Sequence, residues 1–445
     1  MNYDGVKKMY EHMPKKLKYA LSPIFIRLVV ENATFKRTFL ELNKFEHLSA
    51  AEQNQKQFKL LKDTLIYAYE HVPYYKKLFN QVNFDPFRMQ KAEELKKLPL
   101  LTKDMAIEAK EQMYSDENIN YFESLTGGSS GRSLKVLLDK DSIYKERAFI
   151  NQYLAKFGFN PKKSRTLAIM GHNKGEDYYY SPLKNEMAVS PFRLFDESRF
   201  EMVWKAVEKF QPDIISGYPS GIYMFAQLME RYNKQRKFQL VDFFAENYTE
   251  EMKSYVEKIM QCRAVANYGH TERAVFATLY DKGYLFHKMY GYTEFLPTET
   301  EGEFQVVCTG FISRKMPLIR YVTDDVVRFT EGEYAYIQGH KTSEACLLSK
   351  TGTKIFKGAL TLHVNAFNKV RQYQYVQYEQ GKAFLDLVLI EPLSEKEKKE
   401  INSYLAVRCE GLLDVELRFV DQVQLTRRGK YNWAVSKINE SSIAK

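Results

Sequence analysis

Four short stretches of this 445-residue chain gather residue types that do chemistry. The first, "TGGSSGR" (Thr126 to Arg132), puts three of the chain's 21 glycines beside two serines and a threonine. Such a loop exposes backbone N–H groups and hydroxyls together, the equipment for holding an anion. It lies between "INYFES" and "LKVLLD", which read as short strands, so a hairpin is expected. A Walker phosphate loop is excluded, because neither the Gly-x-x-x-x-Gly-Lys-Ser/Thr spacing nor a following helix is present. The second stretch, "NYGHTE" (267–272), holds an aromatic, a glycine, a hydroxyl and a carboxylate within six residues. The third, "PLIRYVTDDVVRF" (317–329), sets Asp324 and Asp325 after a strand. The last, "TRRGKYNW" (426–433), is a basic Gly-Lys turn. Taken singly, each has an ordinary explanation: a flexible turn, a core tyrosine, a solvated acidic turn, a basic tail.

The elements that must position these stretches change character along the chain. The first 110 residues look helical: Ser49 with Glu52 makes a capping box, and Phe58, Leu61, Leu65 and Ala68 recur on one helix face. "HVPYYKKLF" breaks at Pro73, and "KLPLLTKD" (97–104) reads as a turn into another helix. From about 121 to 335 short apolar segments alternate with helical ones, the pattern of a mixed α/β domain. Within it "TLAIM" (166–170) and "PDIISGYPS" (212–220) read as buried strands opening into a loop and helix. Beyond Gly339, "QYQYVQY" and "AFLDLVLI" read as strands, and Ser394 with Glu397 caps a helix ending near Gly411. "DVELRFV" then alternates, with Val415, Leu417 and Phe419 on one face. The expected fold is a large mixed α/β N-terminal domain (1–338) plus a small α+β C-terminal lid (339–445).

Composition narrows the function. The chain is too long for one ordinary core, and its 44% apolar and 14% aromatic content is that of a globular protein. A net charge of +10 favours anionic ligands or an anionic membrane surface, and is far from the basic stripe of a nucleic-acid binder. The four cysteines, at 262, 308, 346 and 409, form no C-x-x-C pair and read as reduced core thiols of a cytoplasmic protein. "SPIFIRLVV" (22–30) contains Arg27 and falls short of the roughly 20 residues a span needs. "MPKKLKYALSPIFIRLVV" (13–30) is basic and then apolar, which allows peripheral contact with the inner membrane face as well as packing on the large domain.

Order and spacing together are more specific than any one stretch. The chain resembles the adenylate-forming (acyl-activating) superfamily, and within it the phenylacetate–coenzyme A ligase branch and its capsule-biosynthesis proteins. The four stretches look like that superfamily's phosphate loop, Tyr-Gly-x-Thr-Glu motif, Thr-Gly-Asp motif and C-terminal catalytic-lysine motif. "YAYEHVPYYKKLF", "KLPLLTKD" and "DIISGYPSGIYMFA" look like the branch's N-terminal and central segments. The resemblance implies an ATP- and magnesium-dependent enzyme that activates a carboxylic acid as its acyl-adenylate. The acyl group would then pass to an amine or hydroxyl of a polysaccharide precursor, or to the thiol of coenzyme A. The alternative is a catalytically degenerate member that binds a nucleotide or glycan, which Asp324 and His340 allow and the retention of Glu272 and Lys430 opposes.

The resemblance also implies roles. Thr126, Ser129 and Ser130, with the N–H groups of Gly127, Gly128 and Gly131, would wrap the β- and γ-phosphates. Tyr268, followed by Gly269, would stack on adenine, Thr271 would bond the α-phosphate, and Glu272 would ligate magnesium. Asp325 would accept the ribose hydroxyls, and Lys430 would bridge the carboxylate and α-phosphate as charge develops. His270 is a candidate contact for the acyl group, as is the segment around "SGYPSG". Three positions depart from the pattern: Arg132 replaces Lys or Thr, Asp324 replaces the Gly of Thr-Gly-Asp, and His340 replaces the Arg that opens the lid. The last change removes a permanent cation with a bidentate fork from the nucleotide's surroundings. A zinc site is not expected, since His287 is present but residues 273–286 contain no cysteine.

Overall fold

A computed structural model describes residues 9–10, 13–14, 17, 21 and 32–438, apart from 127–133, 171–176, 183, 191–196, 338–345, 356–359, 361, 363, 410 and 425–432. Most of the stretch 13–30 therefore lies outside the described residues. Among the described residues no helix is long and apolar enough to cross a membrane.

The N-terminal region is helical. α1 (Ala33–Glu46) is followed by α2 (Ala50–His71), which starts at the capping box: Glu52 N donates to Ser49 Oγ at 3.3 Å and Ser49 N to Glu52 Oε2 at 2.8 Å. Leu61, Leu65 and Ala68 are buried on one face of α2, with Phe58 packed beside them. α3 (Pro73–Gln81) opens on the proline that ends α2, and α4 (Lys103–Ala109) is capped by Thr102. Tyr75 reaches from α3 to the segment before β13, donating to Pro317 O at 2.9 Å and accepting from Ile319 N at 3.1 Å. This fixes the segment that leads into Asp325.

A hairpin follows, β1 (Tyr121–Leu125) paired antiparallel with β2 (Lys135–Asp139), as the sequence predicts around the glycine-rich loop. Its far end is hooked down by Asp139, whose carboxylate accepts from the backbone of Arg314 and Lys315 at 2.8–3.0 Å. α5 (Ser142–Ala155) leads to the main sheet.

The main sheet begins with β3 (Thr166–Ile169), β4 (Tyr178–Ser181), β5 (Glu186–Val189), β6 (Ile214–Gly217), β7 (Leu240–Phe243) and β8 (Arg263–Gly269). It continues with β9 (Phe276–Tyr280), β10 (Gly283–Phe286), β11 (Gly291–Pro297), β12 (Phe304–Gly310), β13 (Tyr321–Glu331) and β14 (Tyr334–Ile337). The order is β11-β12-β13-β14-β10-β9-β8-β7-β6-β3-β5-β4, twelve strands among the described residues. β5, β3, β6, β7 and β8 run parallel, and β8 turns antiparallel against β9. The parallel half is a doubly wound core, with α6 (Glu197–Phe210), α7 (Pro219–Arg231) and α8 (Glu250–Met260) between its strands. Gly217 ends β6 at φ +156°, where a Cβ would lie 2.1 Å from Ile169 O of β3. Only glycine fits so close an approach.

Residues beyond 346 have their own sheet and core. A short pair, β15 (Leu347–Leu348) and β16 (Lys354–Ile355), precedes a four-stranded sheet ordered β19-β18-β17-β20. Its strands are β17 (Val370–Glu379), β18 (Lys382–Leu389), β19 (Asp414–Phe419) and β20 (Ala434–Ser436). α9 (Glu395–Cys409) starts at Ser394 and Glu397 as expected and packs Ile401 and Leu405 onto Leu385, Leu387 and Trp433. β19 alternates as expected. Val415 and Leu417 pack against this core, and Phe419, the last residue of this edge strand, is 46% exposed with its ring 5.5 Å from Lys398 Nζ of α9. The cysteine reading needs a correction: Cys308 and Cys409 are buried thiols, whereas Cys262 and Cys346 are half-buried.

Candidate active site

The chemistry-bearing residues of two distant stretches meet at the carboxyl end of β8, the edge of a parallel sheet where ligands bind in open α/β folds. Tyr268 and Gly269 end β8, and His270, Thr271 and Glu272 form the turn that follows. Asp324 and Asp325 do not follow a strand, as the sequence reading had it, but lie inside β13. Strand alternation explains their unequal fates: Asp324 is exposed, while Asp325 points inward and is 5% exposed.

Asp325 Oδ2 accepts two hydrogen bonds, from the Tyr268 hydroxyl at 2.7 Å and from His270 Nε2 at 2.6 Å. Burial alone would lower the pKa of His270, but its bond to Asp325 and the charges of Asp325, Glu272 and Asp324 raise it above the ordinary histidine value. Burial, followed by the Asp325 charge, holds the Tyr268 hydroxyl far above its ordinary value. The two rings meet nearly edge-on, 4.9 Å apart, and Phe286 flanks Tyr268 at 6.0 Å. His270, a candidate for the acyl contact, is bonded through Nε2 to Asp325. Nothing in its spacing signals this, since the partner lies 55 residues away.

Glu272 is steered by a residue the sequence reading did not single out. The Tyr321 hydroxyl, at the start of β13, donates to Glu272 Oε1 at 3.1 Å. Among the described residues no group of three or more His, Cys, Asp or Glu side chains is placed to hold a metal. A single carboxylate completed by phosphate and water oxygens is nonetheless the usual donor set of magnesium in nucleotide sites, and Glu272 fits it. His287 lies in the core, its Nε2 3.0 Å from Thr278 Oγ1 and its pKa pushed down to about 3 by burial.

Thr126 stands at the base of the glycine-rich loop. Its N–H donates to Leu134 O at 3.0 Å, and its hydroxyl accepts from Leu134 N at 2.9 Å, so this side chain closes the loop's neck. Gly127, Gly128, Ser129, Ser130, Gly131, Arg132, His340 and Lys430 lie outside the described residues. Asn267, just before Tyr268, donates to buried Asp242 of β7 at 2.9 Å, and Ser216 of β6 donates to the same carboxylate at 2.8 Å. Three adjacent strands are thereby tied together directly beneath the motif.

This architecture is that of the adenylate-forming ligases. The chain is similar to solved structures of 2-hydroxyisobutyryl-CoA ligase. One, in the postadenylation state with 2-HIB-AMP, has a TM-score of 0.53 at 14% identity, covering 89% of this chain and 91% of that one. Another, with 2-HIB-AMP and CoA in the thioesterification state, has a TM-score of 0.55 at 15% identity, covering 88% and 91%. The particular likeness is to CapK: residues 347–437 match the CapK C-terminal domain. Protein CapK of Staphylococcus aureus is 20% identical over 450 residues, which is 97% of this chain and 99% of that one. The resemblance read from the four motifs is borne out: the chain is similar to CapK and has the adenylate-forming fold.

Proposed function

We propose that this protein activates a carboxylic acid with ATP, forming an acyl-adenylate and pyrophosphate, and then transfers the acyl group to an acceptor. The observation that carries the reading is the convergence of Tyr268, at the end of β8, and His270, in the turn after it, on Asp325 of β13, with Glu272 of the same turn held by Tyr321, at the carboxyl edge of an adenylate-forming fold. Asp325 accepts the ribose hydroxyls and Tyr268 presents its ring to adenine. Thr271 bonds the α-phosphate. Magnesium, held by Glu272 and the phosphates, supplies charge neutralisation. Gly127 to Gly131 cradle the β- and γ-phosphates, His340 adjoins the nucleotide, and Lys430 stabilises the charge that develops between carboxylate and α-phosphate.

In this reading residues 1–338 bind ATP and the acid, and residues 339–445 act as a lid that presents Lys430 for adenylation and withdraws it for transfer. The acceptor is an amine or hydroxyl of a cell-surface polysaccharide precursor. A second reading, the thiol of coenzyme A, is favoured by the ligase structure that contains CoA. Both place the protein in the cytoplasm, the first at the inner membrane face.

A panel of carboxylic acids screened for pyrophosphate release with ATP and magnesium tests the activation step. Release with a defined subset of acids is the expected result, and release with none would overturn the reading. Supplying the acyl-adenylate with coenzyme A or an amino-sugar nucleotide, and following AMP release, then separates the acceptors.

A further inference from the structure

The turn that carries Thr271 and Glu272 is held at its end by the next residue, Arg273. Its backbone is left-handed, at φ +53°, and its N–H donates to His270 O at 3.0 Å, which closes the turn. Glycine, asparagine and aspartate take this conformation at least cost, yet the chain places an arginine there. Its guanidinium reaches α5: Nη1 donates to Ser142 Oγ at 2.7 Å, and Nη2 lies 2.9 Å from Glu146 Oε2. Each partner is itself fixed. Ser142 is fully buried and donates to the carbonyl of Asp139, the last residue of β2, at 2.6 Å. Tyr290, also fully buried, donates to Glu146 Oε1 at 3.0 Å. The Arg273 guanidinium also lies 5.4 Å from the ring centre of Phe122 in β1.

These contacts join elements of different sheets. β1 and β2 form a two-stranded sheet, which among the described residues pairs with no strand of the main one. β8, which leads into the turn, belongs to the main sheet. The hairpin carries the glycine-rich loop at one end and meets Arg273 near the other, where Phe122 pairs with Leu138 and Tyr121 with Asp139. The turn is thus held at three residues: His270 by Asp325, Glu272 by Tyr321, and Arg273 by α5 and the hairpin. A planar guanidinium bonded through two nitrogens to two fixed partners holds direction as well as distance, which a lysine ammonium does not.

Resting on the proposed nucleotide site, we infer that Arg273 is a positioning residue, setting the separation between the Thr271–Glu272 turn and the hairpin that carries the glycine-rich loop. The triphosphate of ATP has to fit between these two. Adenosine, which has no phosphate, meets the ribose and adenine residues Asp325 and Tyr268 and does not sense that separation. Arg273 acts through the turn and the hairpin, its own guanidinium being occupied by Ser142 and Glu146.

The test uses the full chain and calorimetric dissociation constants for ATP and for adenosine. Arg273→Met combined with Glu146→Leu removes the tie without leaving a buried carboxylate unpaired. This double variant should raise the ATP constant on the order of tenfold or more, the scale of a lost charge-assisted bond, and leave the adenosine constant within about twofold of wild type. Arg273→Lys keeps a charge before Glu146 but lacks the fork that also bonds Ser142, so its ATP constant should fall between the two. If the double variant does not fold, Arg273→Lys should still raise the ATP constant more than the adenosine constant. An ATP constant within about twofold of wild type in the folded double variant would overturn the inference and leave the nucleotide site intact. Equal loss of ATP and adenosine would do the same, since it marks a general loss of structure. A wild-type chain that binds no ATP would sink the nucleotide site itself, and this inference with it.

Discussion

Asp242 and Asp325 are both buried carboxylates on one sheet, 2% and 5% exposed, yet they are held in opposite ways. Asp242, in the parallel half, meets only neutral donors, the Ser216 hydroxyl and the Asn267 amide. Burial therefore pushes its pKa up to about 7. Asp325, in the antiparallel half, meets a phenol and an imidazole whose own pKa is raised by that contact. The first arrangement suits a carboxyl group that ties strands together and holds its proton. The second suits a carboxylate whose charge is kept and matched, as ligand binding requires. Burial is common to both, and the partners separate scaffold from site.

The contrast should show most at Asp325. Asp325→Ala should raise the AMP dissociation constant by on the order of 10²-fold or more, because charge-assisted bonds to the ribose are lost and His270 is left without its partner. Calorimetry checks this, and a change of less than about threefold would place the nucleotide elsewhere. Asp242→Asn, by contrast, should barely move that constant.

The Asp242 effect lies in stability. The folded chain holds the Asp242 proton more tightly than the unfolded one, with a pKa of about 7 against an ordinary 3.8. This group therefore stabilises the fold fully below about pH 4, and the contribution is lost as pH rises toward 7, by about 1.4 kcal/mol for each pH unit crossed. Asp242→Asn should flatten that part of the profile, as read by chemical denaturation at pH 5 and pH 8. An unaltered slope would mean that Asp242 is not the titrating group.

The smallest effect concerns the hairpin. Thr126→Val keeps the shape but leaves the Leu134 N–H, now bonded at 2.9 Å, without an acceptor. The expected loss is about 1–3 kcal/mol of stability. A thermal midpoint equal to the wild type's would show that the hydroxyl does not close the loop's neck.

Much of this arrangement was legible in the chain. The capping boxes at Ser49 and Ser394, the hairpin around the glycine-rich loop, and β3 and β6 all follow from local pattern. Tyr268, Glu272 and Asp325 were found as motif residues, and the fold brings them together. The failures have physical causes. "TDD" reads as a turn because two adjacent carboxylates rarely sit in a strand, yet alternation turns Asp324 outward and Asp325 inward. His270 and Tyr321 acquire their roles from partners 55 and 49 residues away.

Whether the residues gathered around β8 and β13 activate a carboxylic acid is decided by ATP–pyrophosphate exchange. Exchange should require both magnesium and a carboxylic acid, and should fall by on the order of 10²-fold or more in Glu272→Ala at ordinary magnesium. Exchange undiminished in that variant, or absent from the wild-type chain with every acid tried, would refute the assignment.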